Sequence, residues 1–299
     1  MDLLVAVVLV LLLWLPGALL HRGLSVAHAS WGTGRLAVEA TLSLAFLSLV
    51  LLPVYLANAP LWLAPPLVAA AMFTLATAAY RARREPSRAA LLPDRAPLLE
   101  LLVFAGAVAL LVPTTLAHSG ANVDDWWDLS FVSGWLADGR VGFAQMALSP
   151  DPGNGAAPVH PRFLWSVWLM LQAVVAFTTG QQAWRIQAGP LAVFTMVLVV
   201  SAQAALARGL FRSMPAASSL VTATIAMTAA WIWGSESLPL FVRGYQDKLF
   251  AAFVLAPVLL ALVLEAANGE RGRADEDSSA GARRRRVAAI AAAAVATVS

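Results

Sequence analysis

The sequence predicts an all-α fold: a polytopic transmembrane helical bundle with a long external loop carrying juxtamembrane helices. Three observations predict it. Of 299 residues, 60% are hydrophobic and only 12% charged, against roughly 25% charged in an ordinary soluble domain. Apolar runs of about twenty residues recur along the whole length, each long enough to cross a hydrocarbon core of about 30 Å as a helix. The arginines concentrate in short connections between those runs, where they orient a membrane protein.

The same arithmetic excludes other classes. The composition is not that of a free soluble enzyme. With no Cys there is no disulfide framework, no thiolate nucleophile, no Cys-ligated zinc and no iron-sulfur cluster. The net charge of +3 sits where it orients helices, so no nucleic-acid partner is expected.

In chain order, the first run is Leu3 to Leu20. Ala27-His28-Ala29 has the small-x-small form of a cleavage site. However, Asp2 stands where a signal peptide carries positive charge, and the run is long for a signal core, so it reads as a helix. Leu36 to Ala57, Leu61 to Tyr80 and Leu98 to Ala117 follow, making residues 1–117 four transmembrane helices. Further runs cover Phe163 to Gly180, Ile186 to Ala207, Ala217 to Gly234 and Leu249 to Ala266. The tract 267–286, mixed in charge and rich in Ser, Gly and Ala, reads as a disordered basic cytoplasmic loop. A ninth run begins at Val287 and reaches the last residue, Ser299, so residues 287–299 read as the start of a further transmembrane helix in a longer protein.

Orientation follows from Lys and Arg in short loops. Arg81, Arg83, Arg84, Arg88 and Arg95 mark one loop as cytoplasmic; Arg271, Arg273 and Arg283 to Arg286 mark another. Five apolar runs separate these loops, and an odd number of crossings cannot begin and end on one side. Phe163 to Gly180 is among the shortest, and treating it as interfacial or re-entrant also places Arg208 and Arg212 inside. Residues 118–187 then form one external segment and 188–266 hold three spans. Gly234 to Lys248 is a second external loop, so the polar chemistry gathers on one face.

The external segment carries Asp124, Asp125 and Asp128 beside Trp126 and Trp127. At helical spacing Asp124 and Asp128 share a face. Crowded carboxylates raise at least one pKa, which suits a general base, and their oxygens also suit a divalent cation. The competing reading is an acidic helix N-cap; against it, Trp126 and Trp127 follow immediately and fit a helix resting at the interface. Farther on, His160 and Arg162 stand where the chain re-enters the membrane, and such a His can ligate metal or contact phosphate, or be a plain interfacial residue. In the second loop, Arg243 and Lys248, the only Lys in the chain, can grip phosphate oxygens or snorkel to the interface.

Glu39 and Glu100 lie within apolar runs near their starts. An ionised side chain costs about 2.5–3.5 kcal/mol at the bilayer centre, so these carboxyls are expected to face other helices or lie near an end, outside catalysis. There is no Walker loop, Gly-rich dinucleotide turn, HExxH or GxSxG, which removes nucleotide-driven transport and serine or zinc hydrolysis.

The Asp124-Asp125 pair delivered by a helix into a long external loop, the aromatic juxtamembrane sequence, and His160-Pro161 before a further apolar stretch resemble the family C superfamily of membrane glycosyltransferases. The likeness covers about Leu98 to Ala266, and the motif is short and degenerate. It implies a polyprenyl-phosphate-linked sugar as donor and a multi-pass home in a bacterial cytoplasmic (inner) membrane. It implies Asp124 or Asp125 as general base or metal ligand. Asp128, His160, Arg162, Arg243 and Lys248 are then substrate-binding candidates. The chain departs from the commoner pattern in having three apolar runs before the helix that delivers the Asp pair. The other reading is a non-enzymatic transporter or scaffold for envelope polysaccharide or lipid-linked substrates, for which Glu39 is the best functional residue.

Overall fold

The computed structural model describes residues 3–23, 31–82, 98–118, 126–142, 166–211, 250–271 and 290. These residues form an all-α helical bundle, and no strand occurs among them. Among the described residues, five helices are long and apolar enough to cross a membrane; this is a multi-pass membrane protein.

The first span, Leu3–His21, is divided into α1 (Leu3–Leu13) and α2 (Leu15–Gly23). Pro16 has no N–H to return to Leu12, which accounts for the break. The next N–H, that of Gly17, is donated to Ser43 Oγ of the following helix at 2.7 Å. That helix, α3 (Arg35–Leu56), is the centre of the bundle and is buried over most of its length. Gly17 permits the contact: a Cβ there would lie 1.7 Å from the Glu39 carbonyl oxygen.

α4 (Ala64–Ala82) and α5 (Leu98–His118) lie at the periphery. Phe73 and Leu98 on them are both 72% exposed, as suits apolar side chains facing lipid. A 3-10 turn at Leu61–Leu63 enters α4. The α3–α4 connection is clamped to the end of α6 (Trp126–Asp138). Leu61 N donates to Gly139 O at 2.8 Å, and Val141 N to Ala59 O at 3.0 Å. Buried Trp135 of α6 meets Tyr55 of α3 edge to face, with centroids 6.2 Å apart.

α7 (Val167–Thr179) is capped by Ser166, whose side chain accepts from Leu169 N, and stops at Gly180 in the left-handed region at φ +68°. With 13 residues it is about 20 Å long, short of a full crossing. Val167 to Ala176 are all buried, so protein rather than headgroup encloses this helix. α8 (Ala183–Leu210) follows at once, with a π turn at Gln187–Leu191 around Pro190. Gln187 Nε2 donates across the hairpin to Gln172 Oε1 of α7 at 2.5 Å.

The last described helix, α9 (Ala256–Arg271), is preceded by a π turn at Ala251–Leu255. It runs parallel to α8. Gln203 Nε2 donates to Phe253 O at 3.3 Å, and Gly209, farther along α8, lies against Leu264. The α9 segment therefore begins beside the middle of α8. Trp168 at the start of α7 stacks on Phe250 there, centroids 4.1 Å apart. α7 thus reaches from the interior of the bundle to the beginning of α8 without passing through.

Candidate functional site

Helix direction gives the bundle two distinct ends. One gathers the starts of α3 and α5 with the ends of α2 and α8, and the two buried glutamates lie there. Glu39, 1% exposed, sits one turn into α3. Its Oε1 accepts from Arg35 Nε at 2.7 Å and lies 3.1 Å from His21 Nδ1, while Oε2 accepts from Trp14 Nε1 at 2.5 Å. Glu100, 5% exposed, sits in the first turn of α5. Its Oε1 accepts from Thr33 N at 2.7 Å and Thr33 Oγ1 at 2.8 Å, and its Oε2 pairs with Arg208 Nη2. Ser201 Oγ donates to Thr33 O at 2.7 Å and accepts from Ala37 N at 2.9 Å. Gly32, at φ +50°, holds the turn between them, where a Cβ would strike the Glu100 carboxylate at 2.2 Å.

Both glutamates face other helices near helix ends, as their sequence positions led us to expect. Their acceptor atoms are engaged by residues that tie α2, α3, α5 and α8 together. Ion pairs of this kind fasten helices, and with all four carboxylate oxygens engaged they offer a substrate no open carboxylate.

The opposite end gathers the starts of α1, α4 and α8 with the ends of α3 and α5. It contains a cavity of about 470 Å³ between α1, α5 and α8. Val5, Leu116, Ile186, Gly189, Pro190 and Val193 give it an apolar wall, and Gln181 and Arg185 supply its polar atoms. Arg185 lies over the ring of Trp184, 5.3 Å from the centroid, and that ring is half exposed. A cation and an indole at the first turn of a span mark headgroup depth. The cavity can therefore take a molecule with an anionic head and an apolar remainder.

Of the residues singled out in the sequence, Asp124, Asp125, His160, Arg162, Arg243 and Lys248 lie outside the described residues. Asp128 falls in the first turn of α6, where the backbone alone is described. Along the chain, Asp124 and Asp125 stand between His118, which ends α5, and Trp126, which begins α6. Leu116 of α5 lines the cavity, and α6 packs against α7 and the first turn of α8, which holds Arg185. Among the described residues no group of three or more His, Asp or Glu is placed to hold a metal.

Arg185 escaped the sequence reading because hydropathy starts the run at Ile186, leaving it in the preceding loop. The Trp184-Arg185 pair at the mouth of an apolar run was the available signal. Comparison with known protein families, with characterised proteins and with solved structures gives no match to this chain.

Proposed function

We propose that this protein is a membrane glycosyltransferase that moves a sugar from a polyprenyl-phosphate-linked donor to an envelope glycan, lipid or protein acceptor at a bacterial cytoplasmic (inner) membrane. The observation that carries this reading is the shared end of the bundle. The two helices flanking Asp124-Asp125 contribute to, or pack beside, the apolar cavity lined by Arg185.

The chemistry suits that end. A lipid-phosphate sugar carries its phosphate at headgroup level and its chain in the bilayer. In the proposed step the acceptor hydroxyl loses its proton to Asp124 or Asp125 as its oxygen bonds to the sugar's anomeric carbon. The bond from that carbon to the phosphate oxygen breaks, and polyprenyl phosphate departs with the electron pair. Direct attack inverts the anomeric centre. A positioned base contributes about 10²–10⁴-fold to such a step, and cations near the leaving phosphate stabilise its developing charge. Arg243 and Lys248 are the proposed cations of the second loop.

The transporter reading has less to support it. Transporters place ionisable residues near the midplane, whereas Glu39 is one turn from a helix end and is held by Trp14, His21 and Arg35.

The test is transfer of radiolabelled sugar from a panel of polyprenyl-phosphate donors to membrane acceptors by the full chain. Asp124→Asn or Asp125→Asn is expected to lower transfer at least 100-fold with expression intact. Full activity in both variants contradicts the assignment.

A further inference from the structure

We infer that the clamp between the α3–α4 connection and the end of α6 sets the tilt of α6, and through it the place of Asp124-Asp125, so that Arg140 is a positioning residue for the transfer step. The inference rests on the proposed glycosyltransferase reading for the role of the Asp pair; the hold on α6 does not depend on it.

Among the described residues, Pro60 and Arg140 form the one β-bridge, closed by the Leu61–Gly139 and Val141–Ala59 hydrogen bonds. Arg140 locks it. Its Nε and Nη2 both donate to the Asn58 carbonyl oxygen, at 3.1 and 2.9 Å. Asn58 presents that oxygen from φ +47°, the one left-handed conformation taken by a residue other than glycine among those described. Such conformations cost energy and persist where the surroundings over-determine them, often at functional sites. Gly142 completes the clamp, since a Cβ there would lie 2.6 Å from Asn58 Oδ1 and 2.9 Å from Asn58 Cα.

Apolar packing alone would leave α6 free to slide and roll. Val132 and Trp135 of α6 are fully buried, but burial is non-directional, whereas hydrogen bonds fix register and angle. The lever is long: α6 has 13 residues, about 20 Å. The clamp holds the end beyond Asp138, and Asp125 immediately precedes Trp126 at the other. A tilt of about 3° at the clamp moves that far end by about 1 Å over this length, and a misplacement of about 1 Å can cost about 10²-fold in rate. The apolar runs ahead of α5 thereby acquire a use, because α3 and α4 carry the connection that braces α6.

Two measurements on the full chain in nanodiscs test the inference. One is the kinetics of transfer from the most active donor of the polyprenyl-phosphate panel. The other is the distance distribution between nitroxides at Ser130→Cys on α6 and Ala78→Cys on α4, both exposed positions, read by double electron–electron resonance. Arg140→Ala should lower kcat at least tenfold with the donor KM within twofold of the parent, and should widen the distance distribution at least twofold. Arg140→Lys, which keeps one donor for the Asn58 carbonyl, should recover part of both. Gly142→Ala, which leaves Arg140 in place and crowds Asn58, should reproduce both effects. Because Arg140 is exposed, its variants should melt like the parent. Unchanged kcat in Arg140→Ala and Gly142→Ala, or an unchanged distance distribution in both, overturns the inference. So does a loss confined to Arg140→Ala, or a raised KM alone, since either makes Arg140 a substrate contact. The two proposals fail separately. If Asp124→Asn and Asp125→Asn abolish transfer while the clamp variants keep full kcat, the catalytic reading stands and the positioning role falls. If both Asp variants keep full transfer, the catalytic reading falls, and the distance distribution alone decides whether the clamp sets α6.

Discussion

At the scale of single residues, the buried glutamates have a structural explanation. Glu100 and Arg208 lie 108 positions apart in the chain, with side chains 6% and 14% exposed. Removing one partner leaves the other charge buried, which costs about 3–5 kcal/mol, whereas replacing both with apolar side chains is often near neutral. Arg208→Ala should therefore lower the unfolding free energy in detergent by about 3–5 kcal/mol. The double variant Glu100→Leu with Arg208→Leu should recover part of it, the remainder being the about 1–3 kcal/mol lost when Thr33 N and Oγ1 lose their acceptor, and sugar transfer by the folded double variant should persist. Equal losses in the single and double variants contradict this account. The sequence signalled that Glu39 and Glu100 need protein partners near helix ends, because an unpartnered carboxylate in the bilayer is costly. It signalled the partners poorly. Arg35 is legible as an i,i+4 neighbour of Glu39, but His21, Thr33 and Arg208 arrive through tertiary packing, which spacing along one chain does not encode.

At the scale of elements, the α7–α8 hairpin depends on two devices. Gly180 turns the chain in the left-handed region at φ +68° with open space around it. A side chain there meets no neighbour but loses about 1–2 kcal/mol to backbone strain. Gly180→Ala should lower stability by that amount, read by denaturant titration, and Gly180→Asn by less, since Asn tolerates this region. Equal stability of all three contradicts the hairpin geometry. The Gln172–Gln187 hydrogen bond joins the two arms. Element boundaries were partly legible. The parity of crossings between the two arginine-rich loops singled out the run from Phe163, among the shortest, as the one that does not span, whereas its start at the Ser166 cap was not read. The beginning of α8 was not legible, because Ala183, Trp184 and Arg185 form its first turn in a polar stretch that hydropathy assigns to a loop. The π turn at Ala251–Leu255 carries no periodic signal, since it sits in uniformly apolar sequence, whereas the one at Gln187–Leu191 is marked only by Gly189 and Pro190 inside an apolar run.

At the scale of the whole molecule, composition decided the architecture. Apolar content and run length are bulk properties, so the multi-pass all-α bundle was legible without any motif, and five helices among the described residues meet the length and apolarity for crossing. The placement of the candidate site rests instead on chain direction. Glu39, Glu100 and Arg208 gather at one end; the Arg185 cavity and the helices flanking Asp124-Asp125 gather at the other. The arginine-rich stretch 81–97 connects helix ends at the first, and the positive-inside rule predicts that end to be cytoplasmic and the cavity external. The central claim is that the carboxylate pair and the Arg185 cavity share the external face. Single-Cys labelling with a membrane-impermeant reagent tests it most directly, and the Cys-free chain makes each variant unambiguous. Ser130→Cys on α6 and Gln182→Cys before α8 occupy exposed positions, with Ser235→Cys and Ser279→Cys reporting on the two later loops. The account predicts that Cys at 130, 182 and 235 labels from outside intact cells and that Cys at 279 labels only after lysis. Labelling of positions 130 and 182, or of 130 and 235, from opposite sides contradicts it, because the proposed base and the cations that hold the donor phosphate then cannot meet.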